Sequence, residues 1–222
     1  MNPFNVKDNT TIDTGKLEKI FLEEGICKKL KKNDYLIRQN EKNSQIGFVS
    51  SGIFRLSHID GNANEWIVGY SFKDDFVCDY PSLMSKTNST VNIQASTACE
   101  VYLLTSDRLN QFWETDMDTQ RLGRQIAENM FAEIYRRLLG FYCDTPEQRY
   151  QALMKRCPDL QKHLSLKEIA QFLGITSETL SRIRRKQLFN QSKLADFQNS
   201  DFNKSLDFGQ CFLVVYALIL PP

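Results

Sequence analysis

The chain has 222 residues, 41% hydrophobic and 25% charged, with a formal net charge of +1. That composition excludes a chain disordered throughout, and 10 Gly with 6 Pro exclude a collagen-like or low-complexity one. The longest apolar run, Phe212 to Leu220, falls short of the roughly 20 residues of a spanning helix, so no membrane partner is expected. The first residues show no apolar stretch behind a basic start, which predicts no secretory leader and a cytoplasmic location.

The charge is unevenly spread. Residues 144–190 hold nine Lys/Arg against five Asp/Glu, an excess of +4, while 1–143 carry −2 and 191–222 carry −1. A basic excess concentrated in one segment points to a polyanionic partner for it. The six cysteines (27, 78, 99, 143, 157 and 211) include no pair at zinc-site or iron–sulfur spacing. No metal or cofactor is therefore expected, and the thiols read as reduced and mostly buried.

In chain order, residues 13–24 read as a helix with Leu17, Ile20 and Phe21 on one face. From about 28 to 105 come DYLIRQNE, QIGFVSSG, IFRLSHI, EWIVGYSF, VNIQAS and CEVYLLT, separated by clusters such as Asp60-Gly61-Asn62 and Lys73-Asp74-Asp75. Short runs rich in β-branched and aromatic residues at this spacing predict a sandwich, barrel or jelly roll. A short helix follows Ser106, and then a long one over 118–143. Along it Leu122, Ile126, Met130, Ile134 and Leu138 recur every fourth residue, and Phe131 and Tyr135 widen the stripe. A helix apolar on more than one side packs against two bodies. One is the strand domain, and the other can be a second subunit. Thr145-Pro146-Glu147-Gln148 reads as a capping box with proline at the first helical position, so a new helix and a domain boundary are placed there.

Ser165-Leu166-Lys167-Glu168 is a second capping box, with Leu164 and Ile169 as its hydrophobic staple. Its helix ends at Gly174, and Thr176 stands as N-cap of the next, SETLSRIRRK. In that helix Leu180 and Ile183 face inward, while Glu178, Arg182 and Lys186 share the opposite face, flanked by Ser181 and Arg185. Two helices joined by a short Gly turn form a helix-turn-helix, whose second helix enters the DNA major groove. The residue types suit that groove. Arg182 can grip guanine O6 and N7, and Glu178 can accept from a cytosine amine. Ser165, Thr176, Ser177 and Thr179 lie at helix starts, where hydroxyl and backbone N–H groups meet phosphate. Arg184, Arg185 and Lys186 add sequence-blind attraction. The bland alternative is an i, i+4 ion pair between Glu178 and Arg182, with a basic end that complements the helix dipole.

LSLKEIAQFLGITSETLSRIRRK resembles the C-terminal helix-turn-helix of the CRP/FNR family of bacterial transcription regulators. Upstream, LKKNDYLIRQNEKNSQIGFVSSGIFRLSHID, DDFVCDYPSL and STACEVYLL resemble strands of its cyclic-nucleotide-binding-type jelly roll. The resemblance implies an α+β chain: a double-stranded β-helix (jelly roll) over 1–117, a dimerisation helix over 118–143, a helix-turn-helix domain over 144–190 and a tail of uncertain structure over 191–222. It also implies a homodimer on a twofold-related DNA site, with Glu178 and Arg182 at the family's base-reading positions. Ser177 stands where an Arg often precedes the acid, so the base pattern departs from that of the best-known members.

Cyclic-AMP-binding members carry a Gly-Glu pair and, about ten residues on, an Arg-Ser or Arg-Thr pair that meets the phosphate. The matching positions here are Cys78-Asp79 and Ser89-Thr90. The cation is gone, and a buried phosphate without one is costly. The expected reading is no cyclic AMP, with another small molecule or none in the pocket; Lys86 is the nearest substitute cation. His58, beside the Asp60 turn, reads as a surface residue.

The leading expectation is thus a dimeric, double-stranded-DNA-binding regulator whose β domain senses an unknown effector or contacts RNA polymerase. A rival is a small-molecule-binding module whose helices mediate protein contacts. An enzyme is not expected, since no nucleophile–base pair, Gly-rich phosphate loop or paired-carboxylate motif stands in the chain.

Overall fold

The computed structural model describes residues 12–202, with side chains through Phe189. The expectations for Cys211, for the apolar run Phe212 to Leu220 and for the first residues lie outside the described residues. Two compact units divide the chain, Met1–Ser177 and Glu178–Pro222.

The first unit opens with α1 (Gly15–Glu24). Then come β1 (Ile26–Leu30), β2 (Tyr35–Ile37), β3 (Gln45–Ser51), β4 (Phe54–Ile59), β5 (Glu65–Ser71) and β6 (Phe76–Val77). A short α2 (Tyr80–Ser85) precedes β7 (Asn92–Ala95) and β8 (Cys99–Thr105). The strands form two four-stranded antiparallel sheets, ordered β1-β8-β3-β6 and β2-β7-β4-β5. Alternation along each strand sets the layers. Val49, Val101 and Leu103 from one sheet and Phe54, Ile93 and Ala95 from the other make one buried cluster. Gly47 sits in this layer, where a Cβ would fall 2.5 Å from Val101 Cγ2, so only glycine leaves that side chain its room.

The opposite face of the first sheet, through Ile46, Phe48 and Leu104, is covered by helices. Leu17 and Phe21 come from α1 and Leu83 from α2. Leu109 and Phe112 come from α3 (Ser106–Trp113), and Leu122 from α4 (Met117–Cys143). Each such side chain contributes roughly 1.5–3 kcal/mol on burial. The architecture is therefore α+β, a two-sheet β domain carrying helices on one face, as the sequence predicts.

Past α4 the chain turns into α5 (Pro146–Arg156), α6 (Leu166–Leu173) and, running into the second unit, α7 (Ser177–Phe202). Both expected capping boxes form, Thr145 with Gln148 and Ser165 with Glu168. A third, Asp116 with Thr119, opens α4. Three features depart from expectation. Strand β1 is hidden in the sequence because only Leu30 of its five residues is buried. Helix α7 does not end near Lys186; no Gly or Pro interrupts 177–202, and the helix runs to Phe202. Cys27 and Cys143 are exposed thiols rather than buried ones. No helix among the described residues is long and apolar enough to cross a membrane.

Candidate functional site

The helix pair at the C-terminal side is built by local chemistry. The Glu168 amide donates to Ser165 Oγ at 3.3 Å, while the Ser165 amide and hydroxyl donate to Glu168 Oε2 at 2.9 and 2.7 Å. The hydroxyl of Ser165 is thus already engaged by its own helix. Staple residues Leu164 and Ile169 are both buried. Gly174 takes φ 66° and ψ 38°, the left-handed exit that glycine tolerates best, and its amide donates to the carbonyls of Ala170 and Gln171. A Cβ at Gly174 would stand 3.0 Å from the Phe141 ring.

Three residues later α7 begins. Leu180 and Ile183 are buried at 0% and 7% exposure. Thr176, Ser177, Glu178, Ser181, Arg182, Arg185 and Lys186 are exposed, and Thr179 is half-buried. Among the described residues no ion pair links Glu178 to Arg182, so the bland pairing is not formed here. Arg182 and Arg185 present their cationic side chains on the exposed face of the helix.

The effector-pocket candidates come together, but on one another. Asp79 Oδ2 accepts from the Thr90 amide at 2.7 Å, from Thr90 Oγ1 at 2.9 Å and from Ser89 Oγ at 3.2 Å. Ser89 Oγ also lies 2.8 Å from the Val91 carbonyl and has one proton to give. Asn43 Nδ2 and Ser82 Oγ donate to the Asp79 carbonyl at 3.1 and 3.0 Å. Asp79 and Ser89 are buried at 6% and 1% exposure. Burial alone would raise the Asp79 carboxyl, yet the bonds from Thr90, Ser82 and Ser89 outweigh it and hold the group below its ordinary value. Cys78 packs against the helix-covered core instead, and burial, helped by the Asp79 charge, pushes its thiol up to about 12. Lys86 does not replace the missing cation: it is exposed and its Nζ faces Asp107 Oδ1 at 3.5 Å. His58 Nδ1–H donates to the Thr90 carbonyl at 2.7 Å, a tether that its surface-histidine reading omitted. Among the described residues no group of three or more His, Cys, Asp or Glu is placed to hold a metal ion.

The expected dimer stripe divides in two. Leu122 is buried in the chain's own core, and Ile126, partly buried, packs against it. Met130, Ile134 and Leu138 are exposed at 41%, 64% and 49%. Phe131 and Tyr135 stack beside them with ring centroids 6.1 Å apart, also exposed.

Sequence reasoning missed a junction between α4, α6 and β5. The Arg137 guanidinium lies 4.1 Å from the centre of the Phe172 ring and donates to the Val68 carbonyl. Phe172 meets the Tyr70 ring on its own account at 5.5 Å. The one available signal was the Arg136-Arg137 pair inside the apolar stripe of α4, between Ile134 and Leu138.

Known proteins share this build. A family model described as the cyclic nucleotide-binding domain matches residues 27–116, from β1 to the end of α3. The CRP-like protein Clp of Xanthomonas campestris pv. campestris is 20% identical over 197 residues, covering 82% of this chain and 85% of Clp. The solved structure of FixK2 from Bradyrhizobium japonicum superposes with a TM-score of 0.63 at 17% identity, covering 76% of this chain and 86% of FixK2. That of the c-di-GMP-responsive global regulator CLP of Xanthomonas campestris gives 0.56 at 18%, covering 81% and 93%. A cyclic-nucleotide-binding-type β domain, a long helix and a Gly-turned helix pair are the architecture that the chain shares with these solved structures. The chain has the architecture of the CRP/FNR family of transcription regulators.

Proposed function

We propose that the chain is a homodimeric DNA-binding transcription regulator, acting in the cytoplasm, that reads a twofold-related site with the first turns of α7. The observation that carries this reading is the split of α7 into a buried edge, Leu180 and Ile183, and an exposed face holding Glu178, Arg182, Arg185 and Lys186. Arg182 and Glu178 read base edges; Arg185, Lys186, Ser177 and the α7 amides hold phosphate. The exposed half of the α4 stripe, Met130, Ile134 and Leu138, is the surface that pairs the two copies. Domain limits of 1–117, 118–143 and 144–190 follow, with α7 continuing beyond the last. The regulators named among the relatives support a sensing role for the β domain.

The same site argues against cyclic AMP as the signal. A cyclic phosphate at Ser89 and Thr90 would meet the Asp79 carboxylate, already seated on the Thr90 amide and hydroxyl, with no cation to offset it. We infer a different effector, or none.

A salt-titrated binding series on duplex DNA tests the reading. Affinity falls steeply with salt in the wild type. Arg182→Ala costs about 1–3 kcal/mol and relaxes specificity at one base pair, whereas Arg185→Ala weakens all sequences alike and reduces the salt slope by about 1. Salt-independent binding, or an Arg182→Ala variant that binds like the wild type, removes the major-groove assignment.

A further inference from the structure

The helix that leads into α7 does not stand alone. Phe172 of α6 lies between the Tyr70 ring of β5 and the Arg137 guanidinium of α4. Arg137 in turn donates to the carbonyl of Val68, two residues from Tyr70 on the same strand. Arg149 of α5 ties the far end of α6 by donating from Nε to the Leu173 carbonyl at 3.2 Å and from Nη1 to the Asp144 carbonyl at 2.8 Å. Three residues then separate α6 from the first turn of α7.

The chemistry of this contact differs from ordinary core packing. A guanidinium over an aromatic face is held by the ring quadrupole, and the attraction grows as water leaves. Among the described residues no carboxylate is hydrogen-bonded to Arg137, although the Glu133 charge acts on it at longer range; a backbone carbonyl and ring faces hold the guanidinium. Its carbonyl acceptor belongs to β5, which ends the order of its sheet. A shift of β5 by an ångström would therefore break the hydrogen bond and part the rings together. Phe172 is half-buried, so the contact covers the ring without sinking it in a core.

We propose that Arg137, Phe172 and Tyr70 form a latch that holds α6 on strand β5, so that the state of the β domain sets the freedom of the DNA-reading segment. The latch itself stands on geometry alone; its regulatory consequence rests on the DNA-binding reading above.

Hydrogen–deuterium exchange on the full chain, with DNA affinity measured on the same samples, separates the two. The variants are Tyr70→Ala, Arg137→Gln and, as control, Tyr70→Phe. Tyr70 Oη is buried with no hydrogen-bond partner among the described residues, so Tyr70→Phe keeps the ring and behaves like the wild type. Tyr70→Ala and Arg137→Gln each raise exchange at α6 amides by about tenfold and leave β3 and β8 unchanged. Both shift DNA affinity in one direction, and the double variant goes no further than the larger single one. Unchanged α6 exchange in both variants overturns the latch. Raised exchange with unmoved DNA affinity overturns its regulatory role. A wild type that binds no DNA overturns the DNA-binding reading and leaves the exchange data to judge the latch.

Discussion

Asp79 shows how one side chain can close a site that its neighbours in sequence would leave open. Its carboxylate takes the Thr90 amide and hydroxyl and the hydroxyl of the buried Ser89, and hydrogen bonds to a charged group contribute about 1.5–3 kcal/mol. Asp79→Ala is expected to lower the melting temperature by several degrees in a thermal scan, at about 2–4 °C per kcal/mol for a chain of this size. The effect depends on pH with a definite sign. Because the folded carboxyl is held below its ordinary value of 3.8, its contribution is full above that value and is lost as pH falls through the folded one. The gap between wild type and Asp79→Ala therefore persists at neutral pH and narrows in acid. The sequence showed that the cation was missing at Ser89. It did not show where the surviving carboxylate goes, because that depends on a contact across eleven residues.

At the scale of elements, what reads well is local. The capping boxes at Thr145 and Ser165 and the glycine exit at 174 are each written in four or five consecutive residues, and each forms. Gly174→Ala should cost more than 1 kcal/mol, since φ 66° is strained for alanine and the new methyl would press on Phe141. Ser165→Ala should cost about 1 kcal/mol through the lost cap. Urea unfolding of the two variants checks the order, with Gly174→Ala the more destabilised. What reads badly is tertiary. In β1, lysines at 28 and 29 mask a strand whose burial comes only from Leu30. The Arg137–Phe172–Tyr70 contact joins residues as far apart as 70 and 172, and no local pattern encodes it.

For the whole molecule, the four-residue periodicity of α4 was legible, but not its division. Leu122 is spent on the chain's own core, whereas Ile134 stands open at 64% exposure. Ile134→Glu therefore should leave the fold and its circular dichroism intact while converting the protein to a monomer by sedimentation at micromolar concentration. Affinity for a two-half-site duplex should fall toward that for a single half-site. A dimer that survives Ile134→Glu would place the subunit contact elsewhere.

The β domain has four sheet edges, and each discourages another strand from adding to it. Two copies of β1 run side by side would set Lys28 and Lys29 against their own kind, and like charges across a ladder repel. Strands β2 and β6 offer only three and two residues. On β5, the longest edge, Arg137 occupies the Val68 carbonyl. Growth by strand swapping or fibre-like stacking is thereby discouraged at each of these edges, which leaves the exposed helix faces to carry the homodimer proposed above.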